Sequence, residues 1–259
     1  MELDKIYNID CRQGLQELAD ESIDLIASDI PYKLVGGGCS EGNYKTSKGH
    51  SQPSGTLNRQ RTKHESLSGT LNDQVEAVRQ GKMFEHNDIE FSEYMPELYR
   101  VLKKGTHCYL MINSRNLNDL WNEAIKVGFE FQNLLIWEKN NATPNKYYMQ
   151  GAEFILLLSK RPARNINDMG MSNILKAPNI IGNKQHPTQK PVSLMRAMVS
   201  QSTNKGDIVL DPFAGSGSTL LAAQQLERHY IGFEIDKKYY DIAYKRLFQE
   251  PKQQELFIL

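Results

Sequence analysis

The sequence lacks most of the features that would tie it to a membrane, a metal or an oxidising compartment. Its longest apolar run, Phe154 to Leu158, is far too short to cross a bilayer. The opening Met1-Glu2-Leu3-Asp4 has neither the basic nor the apolar region of a signal peptide. Only three cysteines occur, Cys11, Cys39 and Cys108, and none are spaced as a Cys-x-x-Cys pair. That spacing argues against a disulfide framework and against a zinc site, so no metal is expected and reduced thiols in a cytoplasm are. Net charge is missing too: 31 basic residues balance 31 acidic ones. No overall field draws the chain to a polyanion.

The distribution of charge tells more than its sum. From Asn43 to His64 the sequence has Lys45, Lys48, Arg59, Arg61 and Lys63 and no acid. From Met169 to Gly206 it has Lys176, Lys184, Lys190, Arg196 and Lys205 and again no acid. Two such segments can neutralise phosphates, although a solvated loop can also lack acids by chance. The first lies within a stretch, residues 34–82, that has no hydrophobic period and is rich in Gly, Ser, Thr, Asn and Gln. Long polar loops in compact domains are functional or disordered.

With 259 residues the chain is long enough for one α/β domain carrying that insertion. Strands are predicted over Ile6–Asp10, Ile23–Ser28, Thr106–Ile112, Phe131–Trp137, Glu153–Ser159, Ile208–Leu210 and Tyr230–Ile235. Helices are predicted over Cys11–Ala19, about Asp88 to Leu102, Leu117–Val127, Pro191 to about Ser202, Ser218–Arg228 and Lys237–Gln249. Polar stretches separate them at Glu138–Tyr148 and Arg161–Pro187. The alternation implies a mostly parallel, seven-stranded, Rossmann-like sheet with helices on both faces.

The strongest local signal is Asp211-Pro212-Phe213-Ala214-Gly215-Ser216-Gly217-Ser218-Thr219. A buried strand runs into a glycine turn that opens a helix, and Gly215 and Gly217 let backbone approach a ligand closely. Glu234 lies nineteen residues beyond Gly215, at the end of the next strand, where a nucleoside-binding fold places the acid for a ribose diol. No Gly-Lys-Ser/Thr follows, so a nucleoside without a pyrophosphate fits better than a nucleotide.

This motif resembles the S-adenosylmethionine site of the DNA methyltransferases that modify exocyclic amines, adenine N6 or cytosine N4. The resemblance assigns cofactor contacts to Asp211, Phe213, Ala214, Gly215, Gly217, Thr219 and Glu234. Asp236 either assists or caps the next helix, and Asp10 either meets the cofactor adenine or caps its own helix. Lys190 and Pro191, in His186-Pro187-Thr188-Gln189-Lys190-Pro191, correspond to residues by the methionine end of the cofactor. A helix start is the plainer reading of those two.

Asp29-Ile30-Pro31-Tyr32 resembles the same family's Asp-Pro-Pro-Tyr signature, with Ile30 in place of the first proline. Its chemistry follows from the substrate. The lone pair of an exocyclic amine is delocalised into the ring. Acceptors on both N–H bonds draw the nitrogen towards tetrahedral geometry and free that pair. The carboxylate of Asp29, which also borders the cofactor, supplies one acceptor, and the carbonyl of Ile30 the other. Both bind most strongly as positive charge develops. Pro31 ends the strand, and Tyr32 offers a face on which a flipped base can stack.

The catalytic tetrapeptide precedes the glycine turn, an order that resembles the permuted β class of these enzymes, as do the His186–Ser193 segment and Trp137-Glu138-Lys139. The expectation is a site-specific adenine-N6 methyltransferase of double-stranded DNA, in a restriction–modification or phage setting in a bacterial cytoplasm, with homodimers known in the class. Residues 34–82 and 161–186 are expected to share DNA recognition, with Lys45, Lys48, Arg59, Arg61, Lys63 and Lys184 as contacts. Cytosine N4 is the nearest alternative. RNA or protein-glutamine methylation is further off, because those enzymes often begin the tetrapeptide with Asn and run in the other order.

Overall fold

The computed structural model describes residues 1–32, 89–143, 147–180 and 189–249. The insertion 34–82, with Lys45, Lys48, Arg59, Arg61 and Lys63, lies outside the described residues, as does Lys184. Among those described, eight strands form one sheet: β1 Lys5–Tyr7, β2 Ile23–Asp29, β3 Leu102–Ile112, β4 Glu130–Thr143, β5 Gln150–Ser159, β6 Ile174–Lys176, β7 Ile208–Asp211 and β8 His229–Phe233. Their order is β1-β8-β7-β2-β3-β5-β4-β6. All pairings are parallel except those of β5 with β3 and with β4. Six helices flank the sheet: α1 Cys11–Gln16, α2 Phe91–Val101, α3 Leu117–Val127, α4 Val192–Ser202, α5 Ser218–Gln225 and α6 Lys237–Phe248.

Side-chain alternation along the strands divides the core into two layers. Tyr109, Met111, Ile155 and Leu157 face α4, α5 and α6, while Cys108, Leu110, Ile112, Leu156 and Leu158 face α1, α2 and α3. Strand β2 is apolar on both faces and sits at the centre, as a parallel strand covered on both sides must. Helix α2 begins with a capping box between Glu90 and Glu93. Helix α3 stops at Gly128, where Gly128 N and Phe129 N reach back to the carbonyls of Ile125 and Ala124.

The sheet departs from expectation in two places. Strand β4 continues to Thr143, through residues whose polar side chains suggested a loop; they pair with β5, Glu138 opposite Ala152 and Thr143 opposite Gln150. The eighth strand, β6, lies inside the stretch expected to be irregular, and with three residues it is too short to show a period. It pairs parallel to β4, Trp137 opposite Leu175. The first part of the same stretch is held by two neighbouring elements. Arg164 N donates to Gly105 O near the start of β3, and Asn167 N to Gln201 O near the end of α4. The described part after β6 reaches the C-terminal half of β4, where Asn179 N donates to Asn140 Oδ1.

Gly14 shows how tightly α1 sits on the sheet. A Cβ there would lie 2.7 Å from two atoms of the buried Phe233 ring. Alanine would gain about 0.5–1 kcal/mol of helix propensity. Overpacking a filled core costs about 1–3 kcal/mol, so the clash dominates. Gly14→Ala is expected to lower the Tm by about 2–6 °C in a thermal melt; an unchanged or higher Tm would contradict this packing.

Candidate active site

Strands β2 and β7 are parallel neighbours, with Leu25 opposite Val209 and Ile26 opposite Leu210. Each ends in an aspartate, Asp29 and Asp211. On one side of this pair the sheet continues to β8 and β1, on the other to β3. The crossovers therefore diverge here, and such a switch point opens a crevice at the C-terminal ends of the strands. Ser28 Oγ donates to Asp211 Oδ1 at 2.6 Å and ties the two strand ends together. Burial pushes the Asp211 carboxyl up to about 6, against the pull of Ser28, Thr219 and the Phe213 N–H.

After Asp211 the chain makes the expected glycine turn. Gly215 and Gly217 both have left-handed backbone, φ 50° and 78°, where any side chain would be strained. At Gly217 a Cβ would also lie 3.1 Å from Ala243 Cβ. Ala214 N donates to Phe233 O at 2.8 Å, which docks the turn on the end of β8. Glu234 follows directly, and its two carboxylate oxygens accept from Gly215 N and Asp236 N, both at 2.8 Å. Burial pushes this carboxyl up to about 7, although those two N–H groups oppose the shift. Thr219 Oγ1 is buried and has no hydrogen-bond partner at normal distance, although it lies near enough to Asp211 to draw that group's pKa down. A buried Thr219 hydroxyl, a turn with left-handed glycines and an acid at the next strand end together fit a nucleoside cofactor.

The acceptor side is built on ions. Lys190 Nζ lies 3.1 Å from Asp29 Oδ2 and 2.8 Å from Glu153 Oε2. Lys139 pairs with the other oxygen of Glu153. The Trp137 ring lies 5.7 Å from Lys190 Nζ and 5.1 Å from Lys139 Nζ, and its Nε1 donates to Ala177 O at 2.7 Å. Burial pushes Asp29 up to about 6; Lys190 pulls it down and Glu153 pushes it further up. Burial also disfavours charge on Glu153 and Lys190. Attraction wins: Asp29 and then Glu153 hold Lys190 above its ordinary value, and Lys190 and Lys139 hold Glu153 below its own. Tyr32 is half-buried against the α1–α3 layer, and burial and then the Asp29 charge push its phenol up to about 12. Asn113, just past β3, draws the phenol back down.

The predicted site residues thus fall into three groups. Asp29, Ile30, Pro31 and Tyr32 stand at the end of β2, beside the turn formed by Asp211, Phe213, Ala214, Gly215, Gly217 and Thr219, with Glu234 behind it. The side chain of Ile30 is buried in the core, which anchors the tetrapeptide where the family pattern has proline. Phe213 packs edge-on to Tyr94, ring centroids 4.9 Å apart. Asp10 and Asp236 act as N-caps: Asp10 accepts from Arg12 N and pairs through both oxygens with the Arg12 guanidinium, and Asp236 accepts from Lys238 N and Tyr239 N. Pro191 is the N-cap residue of α4. The Lys190 side chain is directed at Asp29, and its carbonyl reaches the turn helix, accepting from Ser218 Oγ at 2.9 Å. Sequence reasoning missed Glu153 and Asn113. The available signal for Glu153 was an acid heading the apolar run Phe154–Leu158.

A family model described as DNA methylase matches residues 23–245. The type II methyltransferase M2.MboI of Moraxella bovis is 26% identical, over 93% of this chain and 86% of its own length. The crystal structure of an M1.HpyAVI–SAM complex superposes with a TM-score of 0.63 at 25% identity, covering 93% of this chain and 98% of that one. The cytosine-N4-specific PvuII DNA methyltransferase superposes with a TM-score of 0.66 at 18% identity, over 95% and 86%, and shares the fold.

The reading of Glu234 as the acid for a ribose diol implies a pH dependence for cofactor binding. A ribose diol donates two hydrogen bonds, so it binds the ionised carboxylate. With the carboxyl at about 7, a proton must leave when a diol binds at lower pH. S-adenosylmethionine affinity, measured by calorimetry, is expected to fall roughly tenfold per unit below pH 7 and to level off above it. Glu234→Gln is expected to bind more weakly and to lose this dependence; a wild-type affinity that is flat from pH 5.5 to 7.5 would contradict the assignment.

Proposed function

Because the chain belongs to the DNA methylase family, we propose that its site methylates N6 of an adenine flipped out of double-stranded DNA. The activity is that of an S-adenosylmethionine-dependent DNA methyltransferase, and the cofactor supplies a sulfonium methyl whose departure leaves a neutral thioether. The single observation that carries the proposal is the placing of the Asp29 carboxylate one strand away from the glycine turn, joined to it through Ser28 and Asp211.

The residues divide the work. Glu234 and the turn around Gly215 hold the nucleoside and methionine parts of the cofactor. Asp29 and the Ile30 carbonyl accept the two N–H bonds of the amine and raise the electron density on nitrogen as the new N–C bond forms. Tyr32 stacks on the extruded base. The methylated amine then sheds a proton, and Asp29, pushed up to about 6, is the nearest base. Adenine is favoured by the Asp at the first position of the tetrapeptide. The catalysis-first order supports the β class, and a bacterial or phage-infected cytoplasm is the setting that accords with the Moraxella bovis relative. DNA contacts are assigned to the basic residues Lys45, Lys48, Arg59, Arg61, Lys63 and Lys184.

Asp29→Ala removes one transition-state acceptor and is expected to reduce methyl transfer about 10²–10³-fold while leaving cofactor affinity within a few-fold. Mass spectrometry of nucleosides from methylated duplex is expected to show N6-methyladenine. Full activity in the variant, or N4-methylcytosine as the product, would overturn the respective part of the proposal.

A further inference from the structure

Asp29 belongs to a row of four charges that alternate in sign: Lys139, Glu153, Lys190, Asp29. Their side chains are only 12%, 25%, 9% and 21% exposed. Such a row is costly to bury, and apolar side chains of similar size would serve stability as well. Its arrangement suits a different purpose.

Lys190 sits on Asp29 Oδ2, one of the two carboxylate oxygens that can accept from an incoming amine. Drawing an ammonium away from a carboxylate in a dry pocket is expensive unless another carboxylate receives it. Glu153 is that receiver, already in contact at 2.8 Å, closer than Asp29 itself. Lys139, on the far oxygen of Glu153, holds this acid ionised and in place. Trp137, fixed through Ala177, walls the path between the two lysines. Withdrawal also suits the chemistry. The amine gains positive charge during transfer, and an ammonium left on Asp29 would oppose it.

Resting on the methyl-transfer reading above, we infer that Lys190 is a placeholder on the acceptor oxygen of Asp29 and that Glu153 is the positioning residue that takes its ammonium when the target amine docks. Neither lysine moves a proton. The exchange swaps one N–H donor on Asp29, that of Lys190, for another, that of the substrate amine. Five groups act on Asp29: Lys190 ahead of α4, Glu153 on β5, Lys139 on β4, Tyr32 beyond β2 and Asp211 on β7. Removing the Glu153 charge lowers the pH at which Asp29 ionises, and removing the Lys190 charge raises it.

The test is single-turnover methylation of a duplex at saturating cofactor, from pH 5 to 9, with Glu153→Gln, Lys190→Met and the double variant, which keeps the row neutral. Cofactor affinity within a few-fold of wild type reports that each variant is folded. Glu153→Gln, in which Lys190 stays on Asp29, is expected to lose about tenfold or more in rate at pH 7.5. Its acid limb is expected to move to lower pH and that of Lys190→Met to higher pH. The double variant is expected to recover much of the rate lost in Glu153→Gln. Limbs that shift in the same direction, or a double variant no faster than Glu153→Gln, would overturn the exchange. A wild-type enzyme that methylates no adenine in the same assay would instead overturn the function on which it rests.

Discussion

Everything in this site depends on one strand pairing. Strands β2 and β7 run parallel through the centre of the sheet and deliver Asp29 and Asp211 to the same edge. Burial pushes both carboxyls up to about 6, and the Asp29 charge adds to the shift of Asp211. The protein counters this with different means on each strand. Asp211 is held by the Ser28 hydroxyl and the Phe213 N–H, and Asp29 by the Lys190 ammonium. Asp211 thereby becomes a fixed part of the scaffold. Asp29 keeps a partner that can leave.

The same division runs through the whole crevice. The cofactor half is made largely of backbone: left-handed glycines, Ala214 N on Phe233 O, and two N–H groups on Glu234. Backbone held by a strand and a helix is preorganised and does not rearrange when a ligand arrives. The acceptor half is made of long ionic side chains, three of them on Lys139, Glu153 and Lys190, whose contacts can be exchanged. A nucleoside that binds in every turnover meets a rigid cradle, and a base that must be flipped in meets an adjustable one. Ser218 joins the halves, donating to the carbonyl of the residue whose ammonium holds Asp29.

Most of the fold was legible in the sequence, because strands and helices long enough to show a period reveal themselves locally. The parts that were not legible have particular causes. Strand β6 has three residues, and the outer half of β4 is polar because it leaves the apolar layers while still pairing with β5. In the site, Asp211–Thr219, Asp29–Tyr32 and Glu234 could be read because each motif is contiguous or at a fixed spacing. Glu153 and Asn113 could not. They reach the crevice from β5 and from the end of β3, and no short spacing links them to Asp29. Lys190 was found by its motif, but a lysine before a helix does not disclose which carboxylates it will meet. For Asp10 and Asp236 the capping alternative, available from the sequence, is the one the hydrogen bonds support.

The exchange at Asp29 concerns atoms in contact, so a structure of the ternary complex reads it out. Crystals with a duplex containing the target site and a non-transferable cofactor analogue would show where the amine lies. The account predicts the exocyclic nitrogen about 3 Å from the Asp29 carboxylate, the analogue in the Asp211–Thr219 turn, and Lys190 resting on Glu153 alone. A base bound away from Asp29, with Lys190 still on Oδ2, would contradict it.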